Sequence, residues 1–266
     1  MSLEYAANLS LLYTEAPFLE RFDMAAASGF RAVEFHFPYD FNVDDIRSRL
    51  TDNGLKLVLF NLHAGDEDAK EWGTLSNPTR KDYFRWSLGI GLDIAKELDC
   101  SQINTMFGNR VTGLTPQEQI KCAIENLSYA APRAEESGVT LLVEALNPID
   151  FPDFFLHRPS ASFEIVKNVD HPNVKSLYDI YHAQMIEGNI ISSIKDNFPN
   201  INHIQIADVP GRHEPGTGEI NYPRIFSLLQ EIGYQGFIGL EYHPSSDTNS
   251  SLKWLNGELR GKHEDS

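Results

Sequence analysis

Apolar residues along this chain fall into two alternating patterns. Short runs such as TLLVE and LKLVLF are almost continuously apolar, as strands buried on both faces are. Between them lie longer stretches whose apolar positions recur three and four apart, the spacing of one helix face. The pattern predicts strands over residues 3–9, 32–35, 55–62, 102–107, 139–146, 174–179, 201–207 and 237–241. It predicts helices over 17–28, 42–53, 78–98, 115–137, 160–168, 183–197, 222–232 and 250–255. Gly29, Gly54, Gly138 and Gly233 stand just beyond four of these helices, where a C-cap favours glycine. Thr115, Pro116 and Glu118 form a capping-box signature. Eight strand and helix alternations in 266 residues predict an α/β fold, a single-domain (β/α)8 TIM barrel over 1–256 with a charged tail over 257–266. A doubly wound sheet is the alternative, but no glycine-rich phosphate loop opens any helix.

In such a barrel the active site lies where the strands end, so polar residues at those ends are the site candidates. They are Asn8, Glu34, His63, Asn104, Glu144, Asp179, Gln205 and Glu241. Glu144, Asp179, Gln205 and Glu241 offer one oxygen donor each from four strands, a set that suits Mg2+ or Mn2+. The richest stretch is INHIQIADVPGRHEPGTGEINY at 201–222, a strand that runs into a loop stiffened by Pro210, Pro215 and three glycines. Each candidate also has a plainer reading. Glu144 and Glu241 would serve as structural ion pairs, Asp179 as a helix N-cap with His182 exposed, and Gln205 as a core hydrogen-bonding residue. His63 is either a site donor or the first residue of its loop. His36, His157, His171, His203, His213 and His263 have no ligand-type spacing and read mostly as surface residues.

Composition narrows the function classes. Hydrophobic content of 41% with 23% charged residues describes a soluble globular chain. No apolar run reaches the roughly 20 residues of a membrane span, and the N-terminus lacks a secretory pattern, so a cytoplasmic protein without a membrane partner is expected. Cys100 and Cys122 read as packing residues rather than a disulfide. A net charge of −16, with 22 Lys and Arg scattered along the chain, argues against nucleic acid as a partner. A homo-oligomer is left open.

Several segments together carry a resemblance: AVEF at 32–35, YDIYH at 178–182, and EPGTGEINY at 214–222. From residue 5 to about residue 254 the chain closely resembles hydroxypyruvate isomerases, members of the xylose-isomerase-like barrels. The resemblance implies that Glu144 and Glu241 donate and accept the proton, and that His182 and Arg212 contact substrate; His63, from its place at a strand end, is expected as a further substrate contact. It implies a divalent metal, Mg2+ or Mn2+, on Glu144, Asp179, Gln205 and Glu241, with Gln205 where related epimerases carry a histidine. The substrate it implies is a small keto or hydroxy acid, with hydroxypyruvate and tartronate semialdehyde interconverted through an enediolate. The alternatives are 2-oxo-tetronate isomerisation, keto-sugar epimerisation, an inosose dehydratase-like lyase, and a non-catalytic hydroxy-acid binding protein. His63 stands where some members have proline, and the HFPYDF segment is not identical to theirs, which bears on the substrate.

Overall fold

A computed structural model describes residues 2–66 and 70–255. The charged tail expected over 257–266 lies outside the described residues. Eight strands, β1 (Glu4–Asn8), β2 (Ala32–Glu34), β3 (Lys56–Asn61), β4 (Gln102–Asn104), β5 (Thr140–Glu144), β6 (Val174–Asp179), β7 (Ile201–Ile206) and β8 (Phe237–Leu240), form a closed parallel barrel in sequence order. The helices between them are α1 (Arg21–Ala27), α2 (Val43–Asp52), α3 (Lys81–Glu97), α4 (Pro116–Glu136), α5 (Pro159–Val169), α6 (Ile180–Ile186), α7 (Ile190–Asn197), α8 (Tyr222–Glu231) and α9 (Thr248–Ser251). The structure is therefore the expected (β/α)8 barrel. Among the described residues no helix is long and apolar enough to cross a membrane.

Local chemistry explains the boundaries. The capping box at Thr115 and Glu118 forms as its spacing predicts, opening α4 with Pro116 in its first turn. One expectation needs correction: the single helix over 183–197 is two helices. Gly188 (φ 60°) and Asn189 (φ 50°) both adopt the left-handed conformation, which stops α6 and restarts the chain as α7.

The barrel interior is layered. Its lower part is packed by small and branched apolar residues, Ala6, Ala32, Val58, Leu142 and Leu177 among them, while a larger apolar layer joins the sheet to the helices. Above the inner apolar layer the inward positions turn polar. Register sets which polar residues share a level: Asn8 pairs with Glu34, Asp179 with Gln205, and Gln205 with Gly239. A register shift at Ser176/Leu177 precedes the Asp179–Gln205 pairing, the kind of local irregularity that re-aims side chains near a site.

Candidate active site

The polar upper ends of β5, β6 and β8 surround a narrow cavity of about 50 Å³. Glu144, His182, Arg212, Glu241, His36 and Asn61 supply its polar wall, and Trp72, Phe151, Met106 and Phe37 are among its apolar lining. Asp179 joins this wall through His182 and Arg212. Its Oδ2 lies 3.5 Å from His182 Nε2 and 3.6 Å from Arg212 Nη2.

Both glutamates singled out by the sequence face this cavity, in opposite electrostatic settings. Glu241 has both oxygens engaged, Oε1 at 2.7 Å from His36 Nε2 and Oε2 accepting from Arg212 Nη2 at 2.7 Å. Burial alone would raise its pKa, but the Arg212 guanidinium and His36 outweigh burial and hold it down at about 2. Among the described residues Glu144 has no cationic partner in contact, and it accepts a hydrogen bond from Asn104 Nδ2 at 2.7 Å. Burial, reinforced by the charges of Glu241 and Asp179, pushes its carboxyl well above the usual range. The ion-pair reading thus applies to Glu241 and not to Glu144.

Asp179 combines two of the roles considered for it. Its Oδ1 caps α6, accepting from the backbone N–H of Tyr181 at 2.7 Å and of His182 at 3.4 Å. Its Oδ2 is buried without a hydrogen-bond partner. His182 is not exposed, as an N-cap reading would have it, but fully buried. Burial, followed by the nearby Arg212 charge, drives its pKa well down, so the ring is neutral. Asn147 Nδ2 lies 2.8 Å from its Nδ1, and Nε2 has no hydrogen-bond partner.

Glu144, Asp179 and His182 each bring a ligand atom within 4.8 Å of the other two, so a divalent cation can be held between them. Unpaired buried atoms fit such an ion: Asp179 Oδ2, His182 Nε2 and, at the paired position on β7, Gln205 Oε1. Of the expected quartet, Glu144 and Asp179 belong to this group, His182 joins them, and Glu241 is engaged by Arg212 and His36. His63 is placed elsewhere. It is not among the cavity's lining residues, and Tyr83 Oη lies 2.8 Å from its Nδ1, with Tyr39 and Trp86 as ring neighbours.

Two histidines read from the sequence as surface residues are integral to the site region. His36 pairs with Glu241, and His203 is fully buried at 2.8 Å from Glu34. Neither has a local spacing signal, because each partner lies on a distant strand end.

Comparison with known proteins agrees with the geometry. A model of the xylose isomerase-like TIM barrel family matches residues 22–257. The chain belongs to that family. It is 43% identical over 256 residues to a 2-oxo-tetronate isomerase of Cupriavidus necator, covering 94% of this chain and 96% of the relative. It is 38% identical to the hydroxypyruvate isomerase of Escherichia coli K12, covering 95% and 98%. A solved structure from Brucella melitensis, described as an AP endonuclease of family 2, superposes with a TM-score of 0.94 at 42% identity, covering 97% and 99%. Family membership and these relatives support an isomerase.

Proposed function

We propose that this chain isomerises short 3-hydroxy-2-oxo acids, moving the carbonyl from C2 to C3. Hydroxypyruvate, which would give tartronate semialdehyde, and 2-oxo-tetronate both belong to this class. The observation that carries the reading is the pair of glutamates in one small cavity, one paired with Arg212 and His36, which hold its pKa down, and the other buried without such a pair, which pushes its pKa up. Two carboxyl groups whose environments push their pKa values apart are suited to act as base and acid. A binding protein would need no such opposition.

In this mechanism Glu241 takes the proton from C3, and the electrons of that C–H bond become the C2=C3 bond of an enediolate. Arg212, beside Glu241, faces the negative charge that develops on the substrate oxygens. Glu144 delivers a proton to C2, the hydroxyl proton of O3 passes to O2, and the carbonyl reforms at C3. The carbon-bound hydrogen is exchanged from C3 to C2 and the hydroxyl proton passes from O3 to O2, so no oxidant is consumed. Glu241 then gives its proton to water and Glu144 regains one, which resets the pair. His182, neutral with Nε2 unpaired, orients a substrate oxygen or a ligand. Asp179, His182 and Gln205, with Glu144 beside them, would hold a divalent ion, Mg2+ or Mn2+, which would polarise the carbonyl and ease proton removal from C3.

The narrow cavity walled by Trp72, Phe151 and Met106 supports a three- or four-carbon acid as substrate in preference to a hexose. A net charge of −16 favours a small-molecule substrate over DNA, despite the description of the Brucella relative. The test is proton NMR of hydroxypyruvate, 2-oxo-tetronate and a ketohexose with the protein and Mg2+ in D2O. Conversion of the short acids with deuterium at the newly protonated carbon is expected, and a slower reaction of the ketohexose. Loss of water from the substrate, or turnover of the ketohexose alone, would overturn the reading.

A further inference from the structure

Below the cavity, Glu34 of β2 is fully buried inside the barrel, a costly place for a carboxyl group unless it is well partnered. Three partners converge on it from two other strands. Asn8 Nδ2 donates to its Oε1 at 2.9 Å, Gln205 Nε2 donates to the same oxygen at 2.8 Å, and His203 Nε2 lies 2.8 Å from its Oε2. Gly239 makes the space for this group, since a Cβ there would sit 2.4 Å from Glu34 Oε2. Glu34, Asn8 and His203 take no part in the mechanism above, yet Glu34 determines which atom of Gln205 the site receives. A carboxylate oxygen can only accept from an amide, so Glu34 forces the NH2 end of Gln205 toward itself. The carbonyl end, Oε1, is left buried and without a partner, on the position paired with Asp179.

We infer that Glu34 is a positioning residue, which orients the Gln205 amide so that its carbonyl oxygen, not its NH2, is offered at the level of Asp179 as a ligand for a divalent cation. An amide presented the wrong way round would oppose the ion with two N–H donors, much as an imidazole ligand in the wrong tautomer would oppose it with one. The inference rests on the cation reading given above. Outer-shell partners of this sort commonly alter metal affinity 10–100-fold.

The test is a double-mutant cycle read by Mn2+ titration calorimetry without substrate, using wild type, Glu34→Leu, Gln205→Ala and the double variant. Glu34→Leu is expected to weaken Mn2+ binding about tenfold or more, and to have no further effect once Gln205 is alanine. Glu34→Gln should restore binding, because its carbonyl oxygen can still accept from Asn8 and Gln205. Gly239→Ala pushes on the Glu34 carboxyl without changing charge and should reproduce the loss, which covers the case in which Glu34→Leu does not fold. Equal affinity in wild type and Glu34→Leu, or the same loss with and without Gln205, would overturn the inference. If wild type binds no Mn2+ the cation reading fails, and Glu34 is judged by the Gln205 side-chain amide in 15N NMR. Slow hydrogen exchange of that amide in wild type, lost in Gly239→Ala, would retain the positioning role, and unchanged exchange would end it.

Discussion

At the scale of single residues, the site is governed by which carboxyl groups carry protons. Burial, opposed by Arg212, raises Asp179 from its ordinary 3.8 to about 7. A carboxyl whose pKa is raised in the folded state binds its proton more tightly there than in the unfolded chain, so ionising it opposes folding. This contribution is favourable at low pH and is lost as pH rises from near 4 to about 7. Glu241 behaves in the opposite sense, contributing stability above the ordinary glutamate range that is lost as pH falls toward 2. A divalent cation binds the ionised form of Asp179 and removes its penalty. The gain in Tm from added Mg2+ should therefore be larger at pH 8 than at pH 5 by differential scanning fluorimetry, and replacing Asp179 with Asn should flatten that difference. A gain that is equal at both pH values, or larger at pH 5, would mean that no carboxyl of this kind meets the ion. The sequence made Glu144, Asp179 and Glu241 legible because each ends a strand-like apolar run. His36 and His203 were not legible, since their partners lie 205 and 169 residues away and only barrel closure brings them together.

At the scale of elements, the loop from β7 to α8 is built around one buried carboxylate. Asp208 accepts four backbone N–H groups, from Val209 at 2.9 Å, Gly216 at 2.9 Å, Gly218 at 2.9 Å and Ile220 at 3.0 Å. Gly218 is required at its position, because a Cβ there would lie 2.0 Å from the Val209 carbonyl oxygen. The loop carries Arg212, which sits at φ 56° and reaches Glu241 and Asp179. Asp208→Ala leaves buried N–H donors unpaired and should destabilise the fold by about 2–4 kcal/mol, with activity falling further than fold content as Arg212 loses its place. Chemical denaturation alongside a turnover assay checks this, and a variant with unaltered stability and activity would refute it. The polar loop after β7 was visible in the sequence as a dense run of charges, prolines and glycines, but its organising residue was not. Asp208 looked like one acid among several until its four donors were placed around it. The division of residues 183–197 into α6 and α7 escaped for a related reason: the apolar spacing continues through Gly188 and Asn189, and only their left-handed backbone reveals the break.

At the scale of the whole molecule, the barrel converts strand order into proximity. The alternation of strand and helix patterns was enough to read the eightfold architecture, because each strand end must open onto the same face. It was not enough to read the walls of the cavity, since Trp72 and Phe151 come from loops with no periodic signal. What closure achieves is to place Glu144, at the end of β5, and Glu241, just beyond β8, in one cavity with Arg212 against Glu241 and Asp179. The most direct test of their pairing is deuterium incorporation from D2O into hydroxypyruvate, followed by proton NMR for wild type, Glu144→Gln and Glu241→Gln, with melting curves as the control for folding. Loss of a general acid or base costs about 100-fold or more, so exchange should fall by at least that factor in each variant while Tm shows both to be folded. Exchange retained at the wild-type rate in both folded variants would contradict proton transfer by this pair of glutamates.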